Sequence, residues 1–372
     1  MEELRAATSH QFEYILAGTF APENIDRVVE DLASHGFNAV QVCVRAPGVH
    51  YYPSDIGPVH PRCRDYDFLG DFVAKAHRAG LQIHSYYPVF LEGDAEGVSA
   101  AAGQELDAAR RARRLGGALA DHPTWACLGG KRGELRWDNW GCPSNDEYVD
   151  YVVRLVREQV GRYALDAIVW DFLRFRFPCY CAHCREKFRA FAGEDLNTRW
   201  PSPAEVDCRC QTVLADLDLL NAAARAARPG IRIGAYVFPQ RRAAIAGVFQ
   251  DWLAFSLRCD FVQPMDYGQI PRQRLLDTLR TDVQLARCPL ILGLLPSLGP
   301  GVPRGTIEAL CEDIQTARQA GCRGFFLLSY EPLFGWPAAG TYSGPYWHTP
   351  HPVGAARRLA DAVLSEPATV PF

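Results

Sequence analysis

The 372-residue sequence has no excess of positive charge, with 39 Lys and Arg against 43 Asp and Glu and a net charge of −4. A surface of that balance does not neutralise a phosphate backbone, so nucleic acid is not an expected partner. No run of 18 apolar residues occurs, and the opening MEELRAATSHQ has no basic segment followed by an apolar one. Neither a membrane span nor a secretion signal is therefore expected. No G-x-G-x-x-G follows the first predicted strand and no phosphate-loop motif is present, which argues against nucleotide use. The ten histidines form no strand-end cluster with carboxylates, as a metal-dependent hydrolase or sugar isomerase would need. His84 lies alone within a predicted strand and reads as hydrogen-bonded structure.

With 48% apolar and 22% charged residues, the chain has the composition of an ordinary globular protein with a large core. Short β-branched or aromatic runs alternate with amphipathic helical stretches, the pattern of repeated βα units around a parallel sheet. Eight strands are predicted, at Tyr14–Phe20, Phe37–Arg45, Leu81–Val89, Leu165–Phe172, Ile231–Phe238, Asp260–Tyr267, Pro289–Leu295 and Gly324–Tyr330. Helices are predicted from Pro22 to Gly36, Tyr66 to Ala79, residues 103 to 120, Asn145 to Arg162, Pro203 to Ala227 and Val353 to Leu364. Arg110, Arg111, Arg113 and Arg114 read as a solvated helix face. Without a composition break or linker, residues 1–372 are expected to form a single (β/α)8 TIM barrel, with expanded loops after strands 2, 3 and 4. A doubly wound sheet is the alternative.

In such a barrel the site lies at the C-terminal ends of the strands. Aromatic and acidic residues share that predicted rim, a mixture suited to sugars, because rings pack on C–H faces while polar groups bind hydroxyls. Asp171 ends the otherwise apolar strand LDAIVWDF, where an unused carboxylate is costly. Strand alternation sends it inward with Val169 and Ala167 while Ile168 and Trp170 face the helices. A structural pair with Arg174 is the other reading of Asp171. Glycosidic bond cleavage needs a second carboxyl group. Glu331, on the same predicted strand face as Ser329 and Leu327, looks better aimed than Asp266, which alternation places on the opposite face from Gln263, Met265 and Tyr267, so that one of these two sets must face outward. Candidate sugar contacts are Arg45, His50, Tyr51, Trp137, Asn139, Arg174, Tyr236, Tyr267 and Trp336.

Cys179, Cys181 and Cys184 stand in a C-x-C-x2-C spacing that can place three sulfurs around one ion. A fourth ligand is needed, for which Cys142 comes first and His183 second. A closed four-ligand zinc would be structural and would pin the loop after strand four beside the rim. Cys208 and Cys210, two apart on a predicted helix, face apart and read as ordinary thiols. Thirteen cysteines without a secretion signal favour free thiols plus a metal site and a cytoplasmic protein.

The segments HYYPSDIGPVHPRCRDYDFLGDFVAKAHRAGLQIHSYYPV, DHPTWACLGGKRG, NWGCPSNDEYVDYVVRLVREQVGRYALDAIVWDF and CYCAHCREKFRAFAGEDL, within residues 50–196, resemble the hypothetical glycosyl hydrolase 6 family. The resemblance implies a (β/α)8 barrel similar to the family 29 α-L-fucosidases, whose strand-four Asp is the nucleophile, a role that falls on Asp171. The related clan of α-galactosidases and α-glucosidases pairs that Asp with one on strand six, which would favour Asp266. The CYCAHC run is similar to the zinc-binding cysteine cluster of family 42 β-galactosidases. The Asn-Glu pair that those enzymes carry at strand four is replaced here by Trp170 and Asp171. The expectation is a glycoside hydrolase acting on a carbohydrate with two carboxylates, Asp171 and either Glu331 or Asp266. The alternative is a non-catalytic carbohydrate-binding barrel.

Overall fold

Strands that are to be covered on both faces need apolar side chains on both, and the strands of this protein have them: β1 (Leu4–Thr8), β2 (Ala39–Cys43), β3 (Gln82–Pro88) and β7 (Ala167–Asp171) are buried almost throughout. The computed structural model describes residues 3–8, 22–45, 47–93, 98–99, 115–129, 135–197, 201–268, 270–296, 306–328, 330–334 and 354–364. With β8 (Arg232–Val237), β9 (Phe261–Pro264), β10 (Leu292–Leu294) and β11 (Gly324–Leu328), these strands form one parallel eight-stranded sheet in the order β10-β11-β1-β2-β3-β7-β8-β9. A parallel bridge between Val262 and Leu290 joins the two edges, so the sheet closes into a barrel. The fold is the (β/α)8 TIM barrel that the sequence predicts.

The first strand is a correction. It is LRAAT at Leu4–Thr8, hydrogen-bonded to β11 and β2, whereas the predicted Tyr14–Phe20 lies outside the described residues. Its alanines lack the β-branched signature of a strand, but small side chains fit the crowded barrel wall beside Ala39 and Phe326. The other seven strands fall within their predicted segments, each shorter at one or both ends. Most of the predicted Arg-rich helix, including all four of its arginines, also lies outside the described residues.

Three connections are long. The one after β3 carries a second, antiparallel sheet of β4 (Val98–Ser99), β5 (Ala126–Gly129) and β6 (Arg136–Gly141), in the order β4-β6-β5. It ends in the helix Asp146–Arg162, started by Asn145, whose side chain accepts from the Tyr148 amide at 3.1 Å. Gly141, just before that helix, leaves room for the Tyr148 ring: a Cβ there would lie 2.0 Å from it, so a larger residue would displace the ring. The connection after β7 holds the helices Ala182–Ala192 and Pro203–Ala227, the latter opened by a Ser202–Glu205 capping box. The long insertions rise from consecutive barrel strands and pack together over one side of the C-terminal face.

Candidate active site and metal centre

Inside the barrel, residues from non-adjacent strands meet. Gln41 of β2 donates to Gln263 Oε1 of β9 at 3.2 Å and accepts a hydrogen bond from the Tyr236 hydroxyl of β8. Tyr236 and Phe326 cross edge to face at 5.0 Å between centroids. Above this layer stands Asp171 at the end of β7, 6% exposed. Three donors converge on it: Tyr86 Oη reaches Oδ2 at 2.8 Å, and the Phe172 amide and Arg174 Nη1 reach Oδ1 at 2.6 and 3.0 Å. Trp170, one residue back, turns outward and donates to Asn221 at 2.8 Å, so the expected alternation holds through this strand. Burial, followed by the charge of Asp171, pushes the Tyr86 phenol well above its ordinary pKa and keeps it a proton-bearing donor.

Arg174 is an ion-pair partner of Asp171, and it is also walled by aromatics. Its guanidinium carbon lies 4.8 Å from the ring centre of Phe172, 4.9 Å from Phe238 and 5.8 Å from Trp140. The Trp140 indole donates to the Arg174 carbonyl at 3.0 Å, fastening the inserted sheet to the loop after β7. Phe172 and Tyr267, the residues that follow Asp171 and Asp266, have φ of 54° and 45°. For bulky side chains this left-handed region costs about 1–3 kcal/mol, and such strain concentrates at functional strand ends. Both lie at the rim where the sequence placed the carboxylates.

Asp266 is fully buried, and its Oδ1 accepts from the Ile270 amide at 2.6 Å, tying the turn after β9. Because β9 ends at Pro264, strand parity does not extend to Asp266. The same correction applies to Glu331. β11 ends at Leu328 and residues Tyr330–Leu333 form a helical turn, so Glu331 shares no strand face with Leu327. Pro332 explains the change, since it cannot donate to a ladder but is tolerated in a helix's first turn.

The predicted sugar contacts divide. Arg174, Tyr236 and Tyr267 gather with Asp171, and Tyr267 lies 6.2 Å from the Phe326 ring. Tyr51 is buried with its ring 5.6 Å from that of His60, and Arg45, His50 and Asn139 belong to a buried knot beneath the long loops. There Arg45 pairs with Glu92 and donates to the carbonyls of Pro88 and Val89. Glu92 also accepts from Tyr148 Oη at 2.6 Å and from the Ala118 amide at 3.1 Å. Asn139 Oδ1 takes the Gly116 amide at 2.8 Å. His50 bonds the Pro58 carbonyl at 2.9 Å, and burial together with the Arg45 charge lowers its pKa to about 3. Trp137 is buried in the inserted sheet, and Trp336 lies outside the described residues. Tyr86 is not among the contacts expected from the sequence, although its parity on β3, two residues from His84, sends it inward. Phe172 and Phe238 carried no signal, because their positions depend on how the strands end.

The cysteine cluster forms as a compact set. Cys142 Sγ lies 3.9, 3.5 and 3.5 Å from the sulfurs of Cys179, Cys181 and Cys184, and all four lie within 4.8 Å of one another. Four thiolates at about 2.3 Å from one zinc ion would stand about 3.8 Å apart, so the set fits a tetrahedral metal. His183, the alternative fourth ligand, contacts Asn145 at 3.0 Å instead. The cluster is buried and is held by the inserted sheet, where Gly129 bridges Cys179 and the Tyr180 amide donates to the Leu128 carbonyl at 2.7 Å. Cys127, a fifth thiol, adjoins Cys142 and Cys179. All thirteen cysteines are free, and no described helix is long and apolar enough to cross a membrane.

A TIM barrel with a carboxylate at the end of its fourth strand and a four-cysteine cluster beside it has the architecture of a glycosidase-type barrel. The profile of glycosyl hydrolase-like 10 matches residues 6–263, and the chain belongs to that family. The match is thus to glycosyl hydrolase-like 10 and not to the hypothetical glycosyl hydrolase 6 family that the motifs resemble. No curated protein matches the sequence. Among solved structures, a β-galactosidase from the Antarctic haloarchaeon Halorubrum lacusprofundi superposes with a TM-score of 0.69 at 15% identity, covering 99% of this chain and 58% of that one. The α-L-fucosidase isoenzyme 2 of Paenibacillus thiaminolyticus gives a TM-score of 0.63 at 16% identity, covering 98% of this chain and 49% of that one. The glycoside hydrolase domain of PgaB (BpsB) from Bordetella bronchiseptica gives 0.61 at 10% identity, with coverage of 88% and 93%. At these identities the likeness is one of fold, and this chain spans about half the length of the first two proteins.

Proposed function

We propose that this protein hydrolyses an O-glycosidic bond, with Asp171 as nucleophile or general base and Glu331 or Asp266 as general acid. The observation that carries the reading is the convergence of Tyr86, the Phe172 amide and Arg174 on a carboxylate at the C-terminal end of the fourth barrel strand. A carboxylate fixed by three donors is oriented rather than free, which suits attack at an anomeric carbon or on a water beside it. Tyr236, Tyr267, Arg174 and Trp140 supply the aromatic and polar walls of a sugar subsite, and a hexose- or fucose-like glycoside is the substrate class. Cys142, Cys179, Cys181 and Cys184 hold a structural zinc, which when bound fixes the loop after β7 against the inserted sheet. It leaves no open coordination position for chemistry.

Residues 1–372 are read as one catalytic domain, supported by Arg5 Nη1 donating to the Leu364 carbonyl at 3.1 Å, which ties β1 to the last of the described helical segments. Thirteen free thiols support a cytoplasmic location. A carbohydrate-binding barrel without catalysis is the second reading. It is favoured by the engagement of Asp266 with the Ile270 amide, which gives that carboxyl a structural task. The test is hydrolysis of a panel of aryl glycosides, α-L-fucosides and β-galactosides included, by the wild-type chain and by Asp171→Asn. Release of the aglycon that Asp171→Asn abolishes supports the enzyme. Sugar binding with no hydrolysis by the wild type supports the binding barrel.

A further inference from the structure

Trp140, on β6 of the inserted sheet, is 3% exposed and touches both residues that donate to Asp171 Oδ1. Its indole N–H donates to the Arg174 carbonyl at 3.0 Å, and its ring meets the Phe172 ring edge to face at 5.6 Å between centroids. Arg174 Nη1 and the Phe172 amide are the two donors to that oxygen, at 3.0 and 2.6 Å. Phe172 presents its amide from a backbone with φ of 54°, and a bulky residue keeps such a conformation only where its surroundings hold it there. The holding group is itself fixed. Trp140 is bridged to Leu91, the Gly141 amide donates to the Phe90 carbonyl at 2.9 Å, and the amides of Glu92 and Gly93 donate to the Asn139 carbonyl at 3.0 and 3.2 Å. Two residues beyond Arg174, Arg176 Nη1 reaches Asp138 of β6 at 3.0 Å. β6 thus lies along residues 172–176 as a splint.

Because β7 ends at Asp171, the strand ladder does not order the two donor residues, and their placement falls to what packs on them. We propose that Trp140 is a positioning residue for Asp171: it sets the two Oδ1 donors, and through them the angle at which the carboxylate faces the substrate. The inference rests on the reading of Asp171 as the reacting carboxylate, and it gives Trp140 a task apart from walling the sugar subsite. A group that only walls a subsite holds the ground state and the transition state alike, so its loss appears in KM. A group that aims the reacting carboxylate acts on kcat.

The experiment uses the full chain as wild type, Trp140→Phe, Asp171→Asn and the double variant, on the p-nitrophenyl glycoside of the panel that the wild type cleaves fastest, together with a crystal structure of Trp140→Phe. Phenylalanine keeps a ring against Phe172 but has no N–H for the Arg174 carbonyl. Losing that one hydrogen bond is expected to lower kcat by about three- to tenfold, with KM within about twofold of wild type. In the Asp171→Asn background, where no charged oxygen remains to be aimed, the same change is expected to cost less than about twofold further. The crystal structure is expected to show Arg174 Nη1 more than about 3.5 Å from Asp171 Oδ1, outside hydrogen-bond range. A loss carried by KM, or a loss of equal size in both backgrounds, overturns the inference and leaves Trp140 a sugar wall or a packing residue. An unmoved contact between Arg174 and Asp171 in the crystal overturns it as well. A wild-type chain that cleaves none of the panel overturns the enzyme reading, and the crystal structure then decides the positioning alone, an opened contact upholding it. Should Trp140→Phe fail to fold, Trp140→Tyr is read by the same kinetics and distance: a kcat loss that vanishes in the Asp171→Asn background supports the inference, and one that persists there contradicts it.

Discussion

Tyr86 of β3 and Asp171, the last residue of the adjacent strand β7, are joined by a hydrogen bond of 2.8 Å from the phenol to Oδ2, which leaves the Oδ1 oxygen to Phe172 and Arg174. The carboxylate is thereby fixed from both sides. Replacing Asp171 by Asn keeps the shape but removes the charge, and kcat is expected to fall by about 10²–10⁴ on any aryl glycoside the protein cleaves. Steady-state kinetics on the purified variant check this.

Tyr86→Phe removes one donor to a charged oxygen and leaves the ring in place against Tyr236, 5.0 Å away. Hydrogen bonds to charged groups contribute about 1.5–3 kcal/mol, so a loss of roughly tenfold to a hundredfold in kcat is expected, with KM little changed. An equal loss carried wholly by KM would move Tyr86 from orienting Asp171 to holding substrate.

Much of this arrangement is legible in the sequence. The inward parity of Asp171 follows from LDAIVWDF, and the C-x-C-x2-C spacing, with Cys142 before it, picks out the four thiols that cluster. What fails is whatever depends on where a strand stops. Glu331 and Asp266 lie beyond the last ladder bonds of β11 and β9, so alternation cannot place them, and no local pattern announces the left-handed backbone at Phe172 and Tyr267. The first strand is missed because LRAAT has no β-branched character until its threonine, and only its pairing with β2 and β11 makes it a strand. Arg45 and His50 are misread for a related reason: they follow β2, but the loop folds them inward onto Glu92 and Pro58.

That knot has a measurable role in stability. Arg45 and Glu92 are both wholly buried, and removing one member strands the other's charge. Arg45→Met is expected to cost about 3–5 kcal/mol in urea unfolding. The double variant Arg45→Met with Glu92→Gln is expected to recover part of that loss, because neither charge is then left unpaired.

His50 and His84 both have pKa values lowered to about 3, by burial first and then by the charges of Arg45 and Arg232 respectively. Depressed values mean that the folded protein holds these imidazoles neutral, while the unfolded chain protonates them near 6.5. Their contribution to stability is therefore full above about pH 6.5 and is lost as the pH falls from there towards 3. At pH 5 each is expected to have cost about 2 kcal/mol relative to pH 7. Urea unfolding of His84→Gln at the two pH values should show a shallower loss than wild type, and an unchanged slope would contradict the account.

Cys142→Ser removes one of the four sulfurs. Zinc content by elemental analysis is expected to drop from one ion per chain towards zero after dialysis, with a lowered melting temperature, whereas Cys210→Ser, outside the cluster, should leave both unchanged.

The central claim is that two carboxyl groups act on the sugar, and a crystal structure of Asp171→Asn with a glycoside bound tests it most directly. The distance from the residue 171 side chain to the nearest carboxyl across the bound glycosidic oxygen is the quantity to read. A value of about 5–5.5 Å for Glu331 or Asp266 is expected of a retaining enzyme and about 6.5–9.5 Å of an inverting one. No carboxyl within about 10 Å would contradict hydrolysis by this pair and leave a sugar-binding barrel.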